Sequence, residues 1–210
     1  RAVFLPTAQR VGQAVAGASR MNALIRDVLE YARVDSRALP FAAVALDDVV
    51  ADAVELLAVS IADAGANIEW HDLPVVSGDR SQLVQLLQNL IGNAVKYRGP
   101  VAPRVLISAQ PDPVGWAISV CDNGIGIPPE AREKVFEIFR RLHSVAEYPG
   151  TGIGLAVCRR VVNRHGGSIG VTSAVVSWDF TLKRTQEIID AANTVRKDIF
   201  FLCHGGPINT

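Results

Sequence analysis

The opening of the chain is governed by one spacing. Apolar or small residues recur at heptad intervals at Val11, Ala14, Ala18, Met21, Ile25, Val28 and Ala32. That pattern predicts a long helix bearing either a coiled-coil or helical-hairpin seam, or an apolar face laid on its own domain. It stops at the proline of "RVDSRALPF", which sets a boundary near residue 38. "FAAVAL" then reads as a short strand, and Asp47 or Asp48 can cap a helix running to about residue 64. "ANIEWHD" alternates like a strand, with His71 as an exposed residue of it. "LPVVSGD" reads as a turn whose Asp79 caps a long helix over residues 80–97. "RVLISAQ" and "GWAISVCD" are two strands joined through "PDPVG" at hairpin length.

Residues 122–150 are rich in Gly, Pro and charge and carry one apolar segment, "KVFEIFRRL", the composition of a long functional loop. "GTGIGLAVCRRVVNRHGG" opens on glycines, continues with helical periodicity and ends on a Gly pair suited to a C-terminal cap. "SIGVTSA" is a strand, and "WDFTL" can form a last one. The order predicts an α+β fold, a two-layer sandwich of helices on a mixed, mostly antiparallel sheet, preceded by one long helix.

Composition narrows the classes. The 210 residues are 49% hydrophobic, enough for one domain and an appendage. Lys plus Arg and Asp plus Glu are both 21, so no global field draws in nucleic acid or anionic lipid, and neither is expected as a partner. Cys121, Cys158 and Cys203 are odd in number and lack CxxC or CxxH spacing, which reads as reduced core cysteines of a cytoplasmic protein. No run approaches the roughly 20 apolar residues of a membrane span, although a longer parent could be membrane-anchored.

Three polar segments interrupt these patterns and call for chemistry. In "LLQNLIGNAVKY", Asn89, Asn93 and Lys96 or Tyr97 share one face of an otherwise apolar helix. "CDNGIGIPPE" ends a strand on Asp122 and follows it with Gly124 and Gly126, so the backbone can turn sharply beside a carboxylate. "GTGIGLAV" starts a helix with Gly150, Gly152 and Gly154, where free N–H groups and the positive dipole end can receive phosphate. It is neither a Walker A loop, which needs Gly-Lys-Ser/Thr, nor a dinucleotide fingerprint, which needs GxGxxG.

Together these segments resemble the ATP-binding catalytic region of sensor histidine kinases, within the wider GHKL ATPase superfamily and its Bergerat fold. "QLLQNLIGNAVKYR" resembles the N box, "DNGIGI" the first glycine box, "FEIFRRLH" the F box and "GTGIGLAVCRRVVNRHGG" the second glycine box, in family order. The wording "RRLHSVAEYPGTGIGLAV" is most similar to the phytochrome-like branch. The likeness runs from about residue 10 to 173, or to 182 with the last strand. It implies residues 1–37 as a partial dimerisation helix, 38–182 as the ATP-binding domain and 183–210 as an atypical tail.

The resemblance also implies roles. Asp122 would accept a hydrogen bond from the adenine amino group, with Gly124 and Gly126 letting backbone approach the base. Asn93 would hold Mg2+, a hard cation that prefers oxygen donors, and Asn89 would support the same metal or phosphate shell. Lys96 would offset triphosphate charge and Tyr97 would lie near the nucleotide. Gly150, Gly152 and Gly154 would bind phosphates, with Thr151 as a further donor and Ile127 and Leu155 in the cofactor wall. Phe136, Phe139 and Arg140 would belong to a mobile lid in which Arg140 or Arg141 reaches the γ-phosphate. His165 reads as structural; His143 has no assigned role.

Within that superfamily the ATP-hydrolysing members carry a glutamate four residues before the metal-binding asparagine. Here that place is Asn89, and an amide cannot take a proton near neutral pH, so ATP and Mg2+ can be held without efficient activation of water. The resemblance therefore implies transfer to a histidine of a dimerisation helix, in an intact parent that is a homodimer and passes phosphate to a response regulator receiver domain. No histidine precedes His71, so the acceptor helix is expected to be missing and the chain unable to phosphorylate itself. A non-catalytic GHKL nucleotide- or partner-binding module is the alternative. The tail, with "LCHGGP", resembles one α/β unit of a phosphoenolpyruvate-hydrolase-like TIM barrel, too little to form a barrel.

Overall fold

The computed structural model describes residues 7–36, 39–112, 115–144, 147–171 and 177–182; the tail at 183–210 lies outside them. Helix α1 spans Thr7–Ser36 and is followed by β1 (Ala42–Ala45), α2 (Leu46–Leu56), α3 (Ala58–Ala64), β2 (Asn67–Trp70) and β3 (Val75–Gly78). Helix α4 (Arg80–Lys96), strands β4 (Arg104–Asp112) and β5 (Gly115–Asp122), helix α5 (Gly154–Arg164), and strands β6 (Ile169–Val171) and β7 (Ser177–Leu182) complete the order. The main sheet runs β2-β4-β5-β7-β6, parallel between β2 and β4 and antiparallel elsewhere. Strands β1 and β3 pair separately. This is the expected α+β architecture. Among the described residues no helix is long and apolar enough to cross a membrane.

Helix α4 organises the core because its apolar residues fall on one stripe. Leu83, Leu86, Leu87, Leu90 and Ile91 are all essentially inaccessible to solvent. Each such side chain stabilises the fold by about 1.5–3 kcal/mol relative to exposure. They meet Leu46, Val49, Val50 and Ala53 of α2, Val157, Val161 and Val162 of α5, and the buried strand residues Val105, Ile107, Ile118 and Val120. Ile107 pairs with Val120 and Val105 with Asp122, so the sheet's buried row ends on a carboxylate.

Two local readings are corrected. The helix expected to reach residue 64 breaks at Leu57 into α2 and α3, and α2 begins at Leu46 without a side-chain cap. Asp47 and Asp48 lie in its first turn, where Asp47 accepts from the Leu73 N–H at 3.4 Å. "LPVVSGD" is a strand more than a turn, since Val75–Gly78 pairs with β1. His71 is exposed, one residue beyond β2.

Asp79 caps α4 as expected, accepting from the N–H groups of Ser81 and Gln82. It also accepts from Leu39 N–H at 2.8 Å and lies 3.7 Å from the Arg164 guanidinium. Arg164 in turn donates to Gln82 Oε1 and to the Leu39 carbonyl. Buried His165 accepts the Asp79 N–H on Nε2 at 3.0 Å and donates from Nδ1 to the Val161 carbonyl at 2.8 Å, while Phe41 stacks on its ring. Its surroundings are structural, and burial holds its pKa below the usual histidine value.

Helix α1 resolves the two readings of its heptad in an unexpected way. Every seam residue from Val11 to Ala32 in the heptad is exposed, with Met21 at 60% and Ile25 at 57%. A different stripe, Leu24, Asp27, Tyr31 and Val34, faces the domain. Gln82 donates to the Val34 carbonyl at 2.6 Å, and Arg160 grips Asp35 while lying 4.6 Å over the Tyr31 ring.

Burial alone would raise the Asp79 pKa, but the donors from Ser81, Leu39 and Gln82 and the Arg164 charge outweigh it and hold the carboxyl below its ordinary 3.8. Its stabilisation is therefore complete above that value and lost as pH falls through the depressed one. Asp79→Ala is expected to lower stability by about 1–3 kcal/mol near neutral pH. Asp79→Asn should flatten the acid limb below pH 4; thermal melts from pH 7 to 3 that fall equally steeply in both proteins would remove this role.

Candidate functional site

The cleft lies where three chain reversals meet the C-terminal half of α4. It encloses about 590 Å³ including its open mouth. Asn93 and Ala94 of α4 and Tyr97, which caps its C-terminus, form one wall, and Asp122, at the end of β5, stands at 4% exposure. Ile125, Gly126, Ile127 and Val135 supply an apolar floor. Arg140, Arg141, Leu142 and His143 come from the long loop, and Leu155 from the first turn of α5. A mostly apolar cleft with few polar groups suits a flat organic ligand that must be oriented.

Asp122 is the polar end. Burial pushes its pKa up to about 6, partly opposed by the Gly124 N–H, which donates to Oδ1 at 2.7 Å. That leaves a carboxylate at neutral pH with little water around it, a strong acceptor for a ligand N–H. Gly124 cannot carry a side chain: a Cβ would lie 2.5 Å from the Tyr97 carbonyl oxygen and 2.7 Å from Asp122 Oδ1. The neighbouring Ile125 N–H donates to that same Tyr97 carbonyl at 3.0 Å, tying the first glycine turn to the end of α4.

The second glycine segment butts against the same helix, from Lys96 back to Asn89. The Lys96 ammonium is 2.8 Å from where a Gly150 Cβ would sit, and Asn89 Oδ1 is 3.0 Å from the corresponding point at Gly154. Lys96 also donates to the Tyr97 hydroxyl at 3.0 Å. Gly152 has φ 77° and lies under the Phe139–Arg141 backbone, the Arg140 carbonyl being 2.8 Å from its notional Cβ. Asn89, Lys96, Gly150 and Gly154 are thus gathered at the N-terminus of α5, beside the cleft wall rather than on it. A cation and an amide oxygen meet free helix N–H groups there, an arrangement suited to anionic oxygens and a hard cation. Among the described residues no group of three or more His, Cys, Asp or Glu side chains is placed to hold a metal ion.

Three site expectations change. Phe136 lies apart from the cleft, 4% exposed and packed under the Arg159 guanidinium at 4.1 Å from its ring centre; Val135 holds the wall position instead. Arg141 donates to the carbonyls of Gly150 at 2.9 Å and Tyr148 at 2.6 Å, so its guanidinium braces the loop. The Thr151 hydroxyl, expected to face phosphate, donates to Asp27 of α1. Phe139 is exposed at 60%, and Arg140 is exposed at the cleft. The sequence reading missed Ala94, Ile125, Val135 and Leu142 as wall residues and gave no role to His143. Only the ring-bearing "RRLHSVAEYPG" offered a signal for the last.

Residues 78–187 match the family of histidine kinase-, DNA gyrase B-, and HSP90-like ATPases. Cyanobacterial phytochrome A of Nostoc sp. strain PCC 7120 is 45% identical over 160 residues, covering 76% of this chain and 21% of its own length. The chain thus spans about a fifth of the length of such relatives. Full-length ShkA, solved in complex with AMPPNP, superposes with a TM-score of 0.66 at 30% identity, over 86% of this chain and 40% of that one. The mycobacterial sensor histidine kinase MprB gives 0.60 at 30% identity over 68% of this chain and 97% of its own. With the asparagine-bearing face of α4 and the two glycine segments brought together, and with these likenesses in sequence and fold, the chain belongs to the histidine kinase-, DNA gyrase B- and HSP90-like ATPase family, as an ATP-binding catalytic domain of the sensor histidine kinase type.

Proposed function

We propose that this domain holds Mg-ATP and transfers its γ-phosphoryl group to a histidine on a dimerisation helix outside these residues. The observation that carries the reading is Asn89, whose amide oxygen faces the N-terminus of α5 at the place where the hydrolysing relatives keep a glutamate. An amide can orient and coordinate but cannot deprotonate water. A neutral imidazole attacks through its unprotonated nitrogen: that nitrogen bonds the γ-phosphorus, the bond to the β–γ bridging oxygen breaks, ADP leaves, and the proton on the ring's other nitrogen is released to solvent.

The other groups fit that division of labour. Asp122 accepts from the adenine amino group while the apolar floor covers the base faces. Lys96, the glycine-segment N–H groups and Arg140 offset triphosphate charge, which is the main demand of phosphoryl transfer. Asn93, with Asn89 beside it, would hold Mg2+ through amide oxygens, and the ion would supply further charge neutralisation. The AMPPNP-bound ShkA is consistent with adenine nucleotide as the ligand. The exposed α1 seam supports a dimerising helix pair in the parent, and a response regulator receiver domain is the proposed phosphate acceptor thereafter.

The alternative reading is nucleotide or partner binding without transfer. Incubating the chain with labelled ATP, Mg2+ and a separately made histidine-bearing hairpin separates the two. The kinase reading expects acid-labile, base-stable label on the hairpin; tight ATP binding with an unlabelled hairpin would leave the binding module.

Asn93→Ala should weaken ATP binding by about tenfold in Mg2+ and little in EDTA, the loss of one charge-assisted contact. Equal affinities with and without metal would end its assignment as ligand. Adenine nucleotide affinity should also fall as pH drops below about 6, where Asp122 takes up a proton. Asp122→Asn should remove that dependence and bind about tenfold more weakly at pH 7.5; calorimetry between pH 5 and 8 reads both.

A further inference from the structure

The segment "RRLHSVAEYPG" carries two rings, His143 and Tyr148. His143 is half-buried and lines the cleft. Its ring centre lies 6.1 Å from that of Tyr97 and 5.2 Å, edge-on, from that of Tyr148, while Tyr97 and Tyr148 are 4.9 Å apart. These are the separations of attractive aromatic pairs, so the three rings form one closed cluster.

The cluster is anchored on both sides. Tyr97 is fixed at its hydroxyl by Lys96 and at its carbonyl by Ile125 N–H, next to Asp122. Tyr148 donates its hydroxyl to the Arg98 carbonyl at 3.4 Å, and its own carbonyl is held by Arg141. Glu147 stands 3.8 Å from His143 Nδ1. The ring of His143 is thereby held against a tyrosine that spans the cleft from the Asp122 end to the Lys96 end. The cleft it lines also holds Leu142 and Ile125, apolar surface that fits a nucleoside face, beside the cationic Arg140 and Arg141.

We infer that His143 is a nucleotide-positioning residue whose imidazole, backed by Tyr148, completes with Tyr97 an aromatic wall for the adenosine half of the ligand. The inference rests on the proposed nucleotide site. The interaction is one of ring faces, so it is indifferent to the number of phosphates and is kept by another aromatic ring. A charge or hydrogen bond to phosphate would behave oppositely on both counts.

The test is calorimetric titration of ATP and ADP into the whole chain and into His143→Ala, His143→Gln and His143→Phe, with thermal melts to register folding. Ala and Gln are expected to weaken ATP and ADP alike by about three- to tenfold, and Phe to return within about twofold of wild type. Wild-type affinity in Ala or Gln would overturn the role, as would a Phe variant no better than Gln, or a loss confined to ATP. A wild-type chain that binds no adenine nucleotide would overturn the site reading itself and this inference with it.

Discussion

The structure depends on how closely backbone can approach the polar face of α4. Its leucine stripe is locked into the core, so the rotational phase of the helix is fixed and its opposite face must meet whatever the loops bring. What they bring is glycine. The Tyr97 carbonyl, the Lys96 ammonium and the Asn89 amide oxygen each occupy space that a Cβ would fill at Gly124, Gly150 and Gly154 respectively. The glycines therefore do more than free the chain for turns; they let two loops and a helix N-terminus close on one row of side chains. Asp79 supports the arrangement from the other end, because the cap that starts α4 is also bonded to the segment leaving α1 and to the end of α5.

The division of labour on α1 follows from the same economy. A helix with one apolar face can serve either its own domain or a partner. Here the domain is met by a mixed stripe, through Val34, Tyr31, Asp35 and Asp27, and the more apolar face stays open. Polar contacts hold the helix in register without consuming the hydrophobic area that association would need.

Much of this was legible in the sequence because it is local. Periodicity gave α4, α5 and the hairpin strands, and Asp79 before a helical run gave the cap. The glycine and asparagine spacings marked the two glycine segments and the α4 face that the fold brings together. What was not legible depended on tertiary partners. Nothing in "ELLAVSI" signals the break at Leu57, and "VVSG" becomes a strand only because β1 lies beside it. Phe136 and Arg141 have the residue types expected of a ligand contact, but Phe136 found Arg159 and Arg141 found two loop carbonyls. Side chains that long reach several neighbours, and spacing does not say which.

The place of β7 carries a consequence for how the chain is made. It is last of the described strands in sequence yet lies between β5 and β6 in the sheet, pairing with both. Until residues 177–182 emerge, β5 has an open edge and β6 has no strand beside it, so one side of the sheet waits on β7. Such long-range closure slows folding and leaves an unpaired hydrogen-bonding edge exposed in the nascent chain. The site's residues all precede β7, but Asp122 stands on a strand whose second neighbour arrives only with residues 177–182.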